Sequence, residues 1–294
     1  MTKELTPIRT DSGRWPRRNF LAMSATLPWA LRGAVASAAS NIPVGVEMYS
    51  VRNTAEKDPM GAVRAVGEMG YQGLEFYAPY FQWTPGQAKE MRNLLDDLRI
   101  RCFSTHNDSD FFSGDKLLHA REINLILGSK YIVMASSHEK SGLEGWKKVA
   151  DTLNTAAERL QADGLGVGYH NHQTEFTPID GVRPIEILAK NTKPSVMLQL
   201  DVGTCIEAGS DPVAWIKANS GRIRSMHCKE YSHDAGKKYA VLFGEGDADW
   251  KGLFQAAENG GGIEYYLIEQ EGSRFSELET VKKCLQSFRA AHGA

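Results

Sequence analysis

Residues 168–176 read GYHNHQTEF and place His170, His172 and Glu175 within six positions. Further on, Asp201 closes the apolar run VMLQL. His227 lies in SMHCKEY with Lys229 two residues later, and Glu269 and Glu271 follow YYLI. Earlier in the chain, Glu75 and His106 end the runs YQGLEFY and RIRCFSTH. Carboxylates mixed with imidazoles are a donor set for a divalent cation, and the same groups serve as general acids and bases. Each residue alone has a plainer reading. Asp201 can cap a helix, His227 can be a structural strand histidine, His172 a packed polar group, and Glu75, Glu269 or Glu271 one half of an ion pair. Their accumulation favours the chemical reading.

His170 and His172 share a strand face while Asn171 takes the other, and Glu269 and Glu271 share a face in the same way. A hard cation beside a sugar-like substrate prefers carboxylates with a histidine. The expected metal shell is therefore Glu175, Asp201, His227 and Glu269, with Glu175 folding back from its loop. His170, at the strand end itself, competes for the fourth place. Glu269 is the expected base within the shell, and Glu175 a second base across the ring. Glu75, His106, His170, His172, Lys229 and Glu271 are the expected substrate contacts, with His106, His172 and Lys229 as proton donors.

These residues need a scaffold that brings distant strand ends together. From residue 43 onward, short apolar runs alternate with amphipathic helical stretches. The runs are 43–50, 71–77, 99–106, 130–136, 165–172, 195–203, 223–230 and 264–271. Eight such units in about 250 residues predict a single (β/α)₈ TIM barrel over residues 42–292, whose catalytic groups sit at the C-terminal ends of the strands. A doubly wound sheet would carry a Gly-rich turn after its first strand, and EMYSVRN has none. In GEGDADW, Asp249 is placed to cap a helix.

The 294-residue chain carries a formal charge of −2, without the basic excess of a nucleic-acid binder. Its four cysteines form no CxxC pair, and a domain of this size needs no disulfide. The segment RWPRRNFLAMSATLPWALRGAVASAAS has paired arginines (Arg17 and Arg18), an apolar run and the cleavage pattern Ala36-Ser37-Ala38. Residues 1–38 are thus expected to be a twin-arginine export signal directing the chain to the periplasm. The apolar run, broken by Arg32, is shorter than the ~20 residues of a membrane span, and no later run is apolar enough to cross a bilayer.

Together YHNHQTEF, LDVGT, HCKEY, FGEGDADW and YYLIEQE resemble the sugar phosphate isomerase/epimerase family of xylose-isomerase-like TIM barrels, over almost the whole chain after residue 42. The resemblance implies one divalent metal, most often Mn²⁺ with Mg²⁺, Co²⁺ or Zn²⁺ as alternatives, held by Glu, Asp, His and Glu at four strand ends. Asp201, His227 and Glu269 match that pattern, whereas His170 stands where the first glutamate belongs. Thr204 replaces the histidine that many sugar epimerases carry after the aspartate. HCKE is similar to the His-x-Lys-Asp of inosose dehydratase-like members. The implied activity is isomerisation or epimerisation of a carbohydrate ketone through an enediolate, with dehydration by the same site as the alternative and a silent sugar-binding protein as a third reading. An AP endonuclease is disfavoured, because Thr204 and Lys229 occupy places where its zinc cluster needs further histidines. No G-x-S-x-G supports a hydrolase.

Overall fold

The computed structural model describes residues 42–138 and 141–293. The proposed export signal lies outside these residues. Eight strands form a closed barrel in the order β1 to β8. They are β1 (Val44–Glu47), β2 (Gly73–Phe76), β3 (Arg101–Asp108), β4 (Tyr131–Ser136), β5 (Gly166–His170), β6 (Met197–Asp201), β7 (Ser225–Cys228) and β8 (Tyr265–Ile268). Every neighbouring pair is parallel, including β1 with β8, which closes the ring. The alternation read from the sequence is therefore a TIM barrel.

Local chemistry explains where the connecting helices begin. Asp58 accepts from the Gly61 N–H at 2.8 Å and starts the helix Pro59–Glu68. Thr84 and Gln87 form a capping box at the start of Pro85–Leu98. Asp249 accepts from the Gly252 N–H at 3.1 Å, as GEGDADW predicts. Outward-facing strand residues such as Val46, Leu74, Val167, Leu200 and Ile268 are buried against the helices. No helix among the described residues is long and apolar enough to cross a membrane. All four cysteines are buried free thiols, so packing alone closes the fold.

Inside the barrel, the end away from the strand C-termini is filled by Phe103, Tyr131, Val133, Met197, Tyr265 and Leu267. Glycines on the inner face make room for these large side chains. A Cβ on Gly73 would lie 2.4 Å from the Phe103 ring, and one on Gly166 would lie 2.4 Å from the Tyr131 ring. Burying each large apolar side chain here is worth about 1.5–3 kcal/mol. This plug is a floor on which the polar residues of the mouth stand.

Candidate metal centre at the barrel mouth

Above the floor, every strand but β4 turns polar on its inner face, β4 continuing with Ala135. On β6 the inward series is Met197, Gln199 and Asp201, and on β8 it is Tyr265, Leu267 and Glu269. Asp201 and His227 are register partners on β6 and β7. The result is a buried ring containing Glu47, Glu75, His106, His170, Asp201, His227 and Glu269.

Glu75 is the hub. Its Oε1 lies 2.9 Å from His106 Nε2 and 2.8 Å from His227 Nε2. Its Oε2 accepts from Gln199 Nε2 at 2.9 Å and from the Ser104 hydroxyl. An acceptor-only carboxylate at both Nε2 atoms requires N–H there. His227 Nδ1 lies 2.6 Å from Glu269 Oε2. Gln199 has a matching role a layer below. Its amide oxygen receives His106 Nε2 at 2.8 Å and His170 Nδ1 at 3.0 Å, while its amide nitrogen also reaches Ser225 Oγ at 3.1 Å. His170 thereby keeps Nε2 as a lone-pair donor, 3.9 Å from Asp201 Oδ2.

Asp201 divides its two oxygens. Oδ1 accepts from the Thr204 N–H at 3.0 Å and caps the helix Val202–Glu207. Asn171 steadies this turn by accepting from the Asp201 N–H at 3.0 Å and donating to Thr204 Oγ1 at 3.0 Å. Asp201 Oδ2 is buried with no hydrogen-bond partner. Asp201 thus meets the helix-cap reading through Oδ1, and Oδ2 is the atom left for the ligand reading.

Glu175 does not follow its sequence-based assignment to the shell. Its Oε1 accepts from the Tyr169 hydroxyl at 2.8 Å, and its Oε2 from the His172 N–H at 2.8 Å and Thr174 Oγ1 at 3.0 Å. Tyr169 leaves the barrel outward and packs edge-on against Trp146. The reason is local. Glu175 is the third residue of the short helix Gln173–Phe176, where a glutamate reaches back to the N-cap N–H. This removes Glu175 both as metal ligand and as base across the ring, and leaves His170 at the β5 end.

Electrostatics agree with this arrangement. Burial pushes the Asp201 carboxyl up, only partly offset by Lys229. Burial also raises Glu47 well above the usual carboxylate range, helped by Glu75 and Glu269. Glu269 is held below its ordinary value, because Lys229 and His227 outweigh its burial. His227, despite burial, is pushed up to about 10 by hydrogen bonds to Glu269 and Glu75. Burial, then the neighbouring His227 and His106, hold His170 well below the normal imidazole range, so it is neutral.

Lys229 is buried, with Nζ 3.4 Å from Asp201 Oδ2, 3.3 Å from Glu269 Oε1 and in contact with Glu271. Above the ring lies a cavity of about 320 Å³. That is the low end of the roughly 300–1,000 Å³ of small-molecule sites. Glu47, His106, His170, His172, Glu269 and Glu271 form its polar side, facing Tyr49, Tyr77 and Phe81. His172 reaches it edge-on to His170, with ring centroids 5.0 Å apart. The lining holds four carboxylates (Glu47, Asp108, Glu269 and Glu271) and no lysine or arginine.

The donor set fits a divalent cation. Ligand atoms of His170, Asp201 and Glu269 lie within 4.8 Å of one another, as do those of His106, His170 and His227. The partnerless Asp201 oxygen is the atom such an ion would satisfy. Sequence reasoning missed Gln199, Ser104 and Ser225. Gln199 had a signal, a polar residue within VMLQLD on the same strand face as Asp201.

A family model described as xylose isomerase-like TIM barrel matches residues 63–291. The chain belongs to this family. Its relatives include the rhizopine catabolism protein MocC of Rhizobium meliloti, 25% identical over 66% of this chain and 64% of that protein. The inosose dehydratase of Clostridium beijerinckii is 26% identical over 71% of this chain and 81% of that one. The match thus spans less than two thirds of MocC. Among solved structures, a sugar phosphate isomerase/epimerase from Parabacteroides distasonis superposes with a TM-score of 0.73 at 25% identity, covering 88% of this chain and 97% of that one. The superfamily has isomerase/epimerase and dehydratase members.

Proposed function

We propose that this protein removes a proton beside the carbonyl of a small, unphosphorylated polyhydroxy ketone and eliminates a neighbouring hydroxyl, acting as a dehydratase on a keto-sugar, keto-glycoside or keto-inositol. His170, Asp201, His227 and Glu269 are the residues that would hold its divalent ion, taken as Mn²⁺. When bound, that ion supplies Lewis-acid polarisation of the carbonyl, worth several kcal/mol.

The single observation that carries the reading is the pairing of Glu269, which lines the cavity, with Lys229 at 3.3 Å just behind it. Glu269 Oε1 takes the α-proton, and the C–H electron pair becomes the new C=C bond. The adjacent C–O bond breaks with its electrons, and the leaving oxygen takes a proton from the Lys229 ammonium to depart as water. Glu269 then gives up its proton to water and Lys229 regains one from water, resetting both groups. General acid–base assistance of this kind contributes about 10²–10⁴-fold. Base and acid on one side suit elimination. Epimerisation needs a donor on the opposite face, where Glu175 was expected and is not placed. A phosphorylated substrate is disfavoured by the four carboxylates of the lining.

Isomerisation or epimerisation is the second reading. It is favoured by the position of His106 and His172 on the cavity, from which a proton can return to another face or carbon. One experiment separates the readings. Mn²⁺-loaded protein is incubated in D₂O with ketoses, inososes and 3-keto-glycosides. Deuterium uptake with an unsaturated or diketone product supports the dehydratase. Deuterium uptake with only an epimer or isomer supports the second reading, and no uptake from any member rejects proton abstraction altogether. We also propose export to the periplasm through the twin-arginine route, which replacement of Arg17 and Arg18 by lysine should block in a cell-fractionation assay.

A further inference from the structure

Lys229 sits behind the cavity lining, against the candidate metal shell. Its side chain is 4% exposed, yet its ammonium lies among three carboxylates, two of which, Asp201 and Glu269, belong to the candidate metal shell. The Asp201 oxygen it faces, Oδ2, is the one without a hydrogen-bond donor. The contact is thus electrostatic, close enough to offset charge and too loose to satisfy the oxygen. The stem of the lysine is built into the wall. Gly203 leaves it space, since a Cβ there would lie 3.1 Å from Lys229 Cγ, and the Tyr239 ring sits 5.0 Å from the ammonium. The third carboxylate, Glu271, is 40% exposed and lies on the cavity rim.

We infer that Lys229 is a built-in counter-cation of the metal site: it shares Asp201 and Glu269 with the ion, and Glu271, which it already touches, retains it when the ion is bound. Buried carboxylates without a cation are costly, so the lysine keeps the ion-free mouth folded. A divalent ion arriving at Asp201 and Glu269 repels the ammonium, and Glu271 is the one partner of the three outside the shell. Metal loading thereby turns the lysine toward the cavity, where the acid is needed. The lysine weakens metal affinity, and Glu271 limits that weakening.

This inference rests on the metal assignment above, and the test separates the two. Mn²⁺ is titrated calorimetrically into wild type, Lys229→Met and Glu271→Gln, and Tm is measured with EDTA and with Mn²⁺. Lys229→Met is expected to bind Mn²⁺ at least tenfold more tightly, with a lower Tm in EDTA and a larger rise in Tm on adding Mn²⁺. Glu271→Gln, at a half-exposed position that tolerates change, is expected to bind Mn²⁺ several-fold more weakly. Weaker or unchanged binding by Lys229→Met overturns the inference while leaving the metal assignment intact. If Lys229→Met does not fold, unchanged or tighter binding by Glu271→Gln overturns it. No uptake of Mn²⁺ by any of the three proteins overturns both.

Discussion

The two ends of the barrel interior are built from the same strands and held by opposite physics. At the floor, Phe103, Tyr131, Met197 and Tyr265 interdigitate with glycines, and cohesion comes from volume and apolar contact. At the mouth, Glu75, Gln199, His106, His170 and His227 hold one another by directed hydrogen bonds, and charge stays in excess. The floor is complete in itself. The mouth keeps a partnerless oxygen on Asp201 and a buried carboxyl on Glu47 whose proton affinity is raised. Stability and chemistry are thus separated along each strand by a few residues, and substitutions at the two ends should have separable effects.

The sharpest break in that comparison is Asp201→Asn. It removes the oxygen left free for the ion, so Mn²⁺ affinity and turnover should fall by more than the ~10–100-fold expected for residues that only orient a ligand. Stability without metal should hold or rise, since a buried charge is gone. Unchanged Mn²⁺ binding by calorimetry would refute the shell assignment. Glu75→Gln should cost about 10–100-fold in Mn²⁺ affinity, because both His106 and His227 lose the carboxylate that sets their tautomers. An affinity within twofold of wild type would show that Glu75 only fills space.

pH probes the same network. Without metal, His227 holds a proton between Glu75 and Glu269 with its pKa raised to about 10. Its stabilising contribution is fully present below the unfolded value of 6.5 and is lost as pH rises through about 10. Metal must displace that proton, so apparent Mn²⁺ affinity should climb with pH by up to about tenfold per unit below about 10. A flat affinity between pH 6.5 and 8.5 would contradict this protonation state.

On the floor, Gly73→Ala forces a methyl against the Phe103 ring. It should cost about 1–3 kcal/mol of stability by denaturant unfolding and leave Mn²⁺ affinity unchanged. A lost metal site with normal stability would erase the distinction between floor and mouth. The smallest effect is expected from Glu175→Gln, which weakens the contacts to Tyr169 and the His172 N–H. It should cost about 1 kcal/mol without altering Mn²⁺ affinity. A tenfold loss of affinity would restore Glu175 to the shell.

Much of this was legible in the chain. Alternation of apolar runs and helical stretches, and the ionisable residues closing all but the fourth run, follow from elementary patterning. A strand buried on both faces must be apolar, and polar groups are tolerated only where it reaches the mouth. Asp201, His227 and Glu269 could be picked out because each comes directly after or within such a run. Glu175 was misplaced because residue types and spacing do not say which way a loop carboxylate turns. HQTE has the spacing of a helix cap as much as that of a metal ligand, and the His172 N–H with the Tyr169 and Thr174 hydroxyls won the contest.

By itself, then, the sequence determined the eight-fold barrel, the end at which the ionisable groups gather and the kinds of group found there, because periodicity and side-chain polarity are local properties. Only the tertiary structure decided which groups meet. It set Glu75 and Gln199 under three histidines, split the two oxygens of Asp201 between a helix and the mouth, turned Glu175 outward, and brought Lys229 against Asp201 and Glu269. Those outcomes depend on closing β8 onto β1 and on the register of neighbouring strands. They are distances between residues far apart in the chain, set by packing that no local stretch encodes.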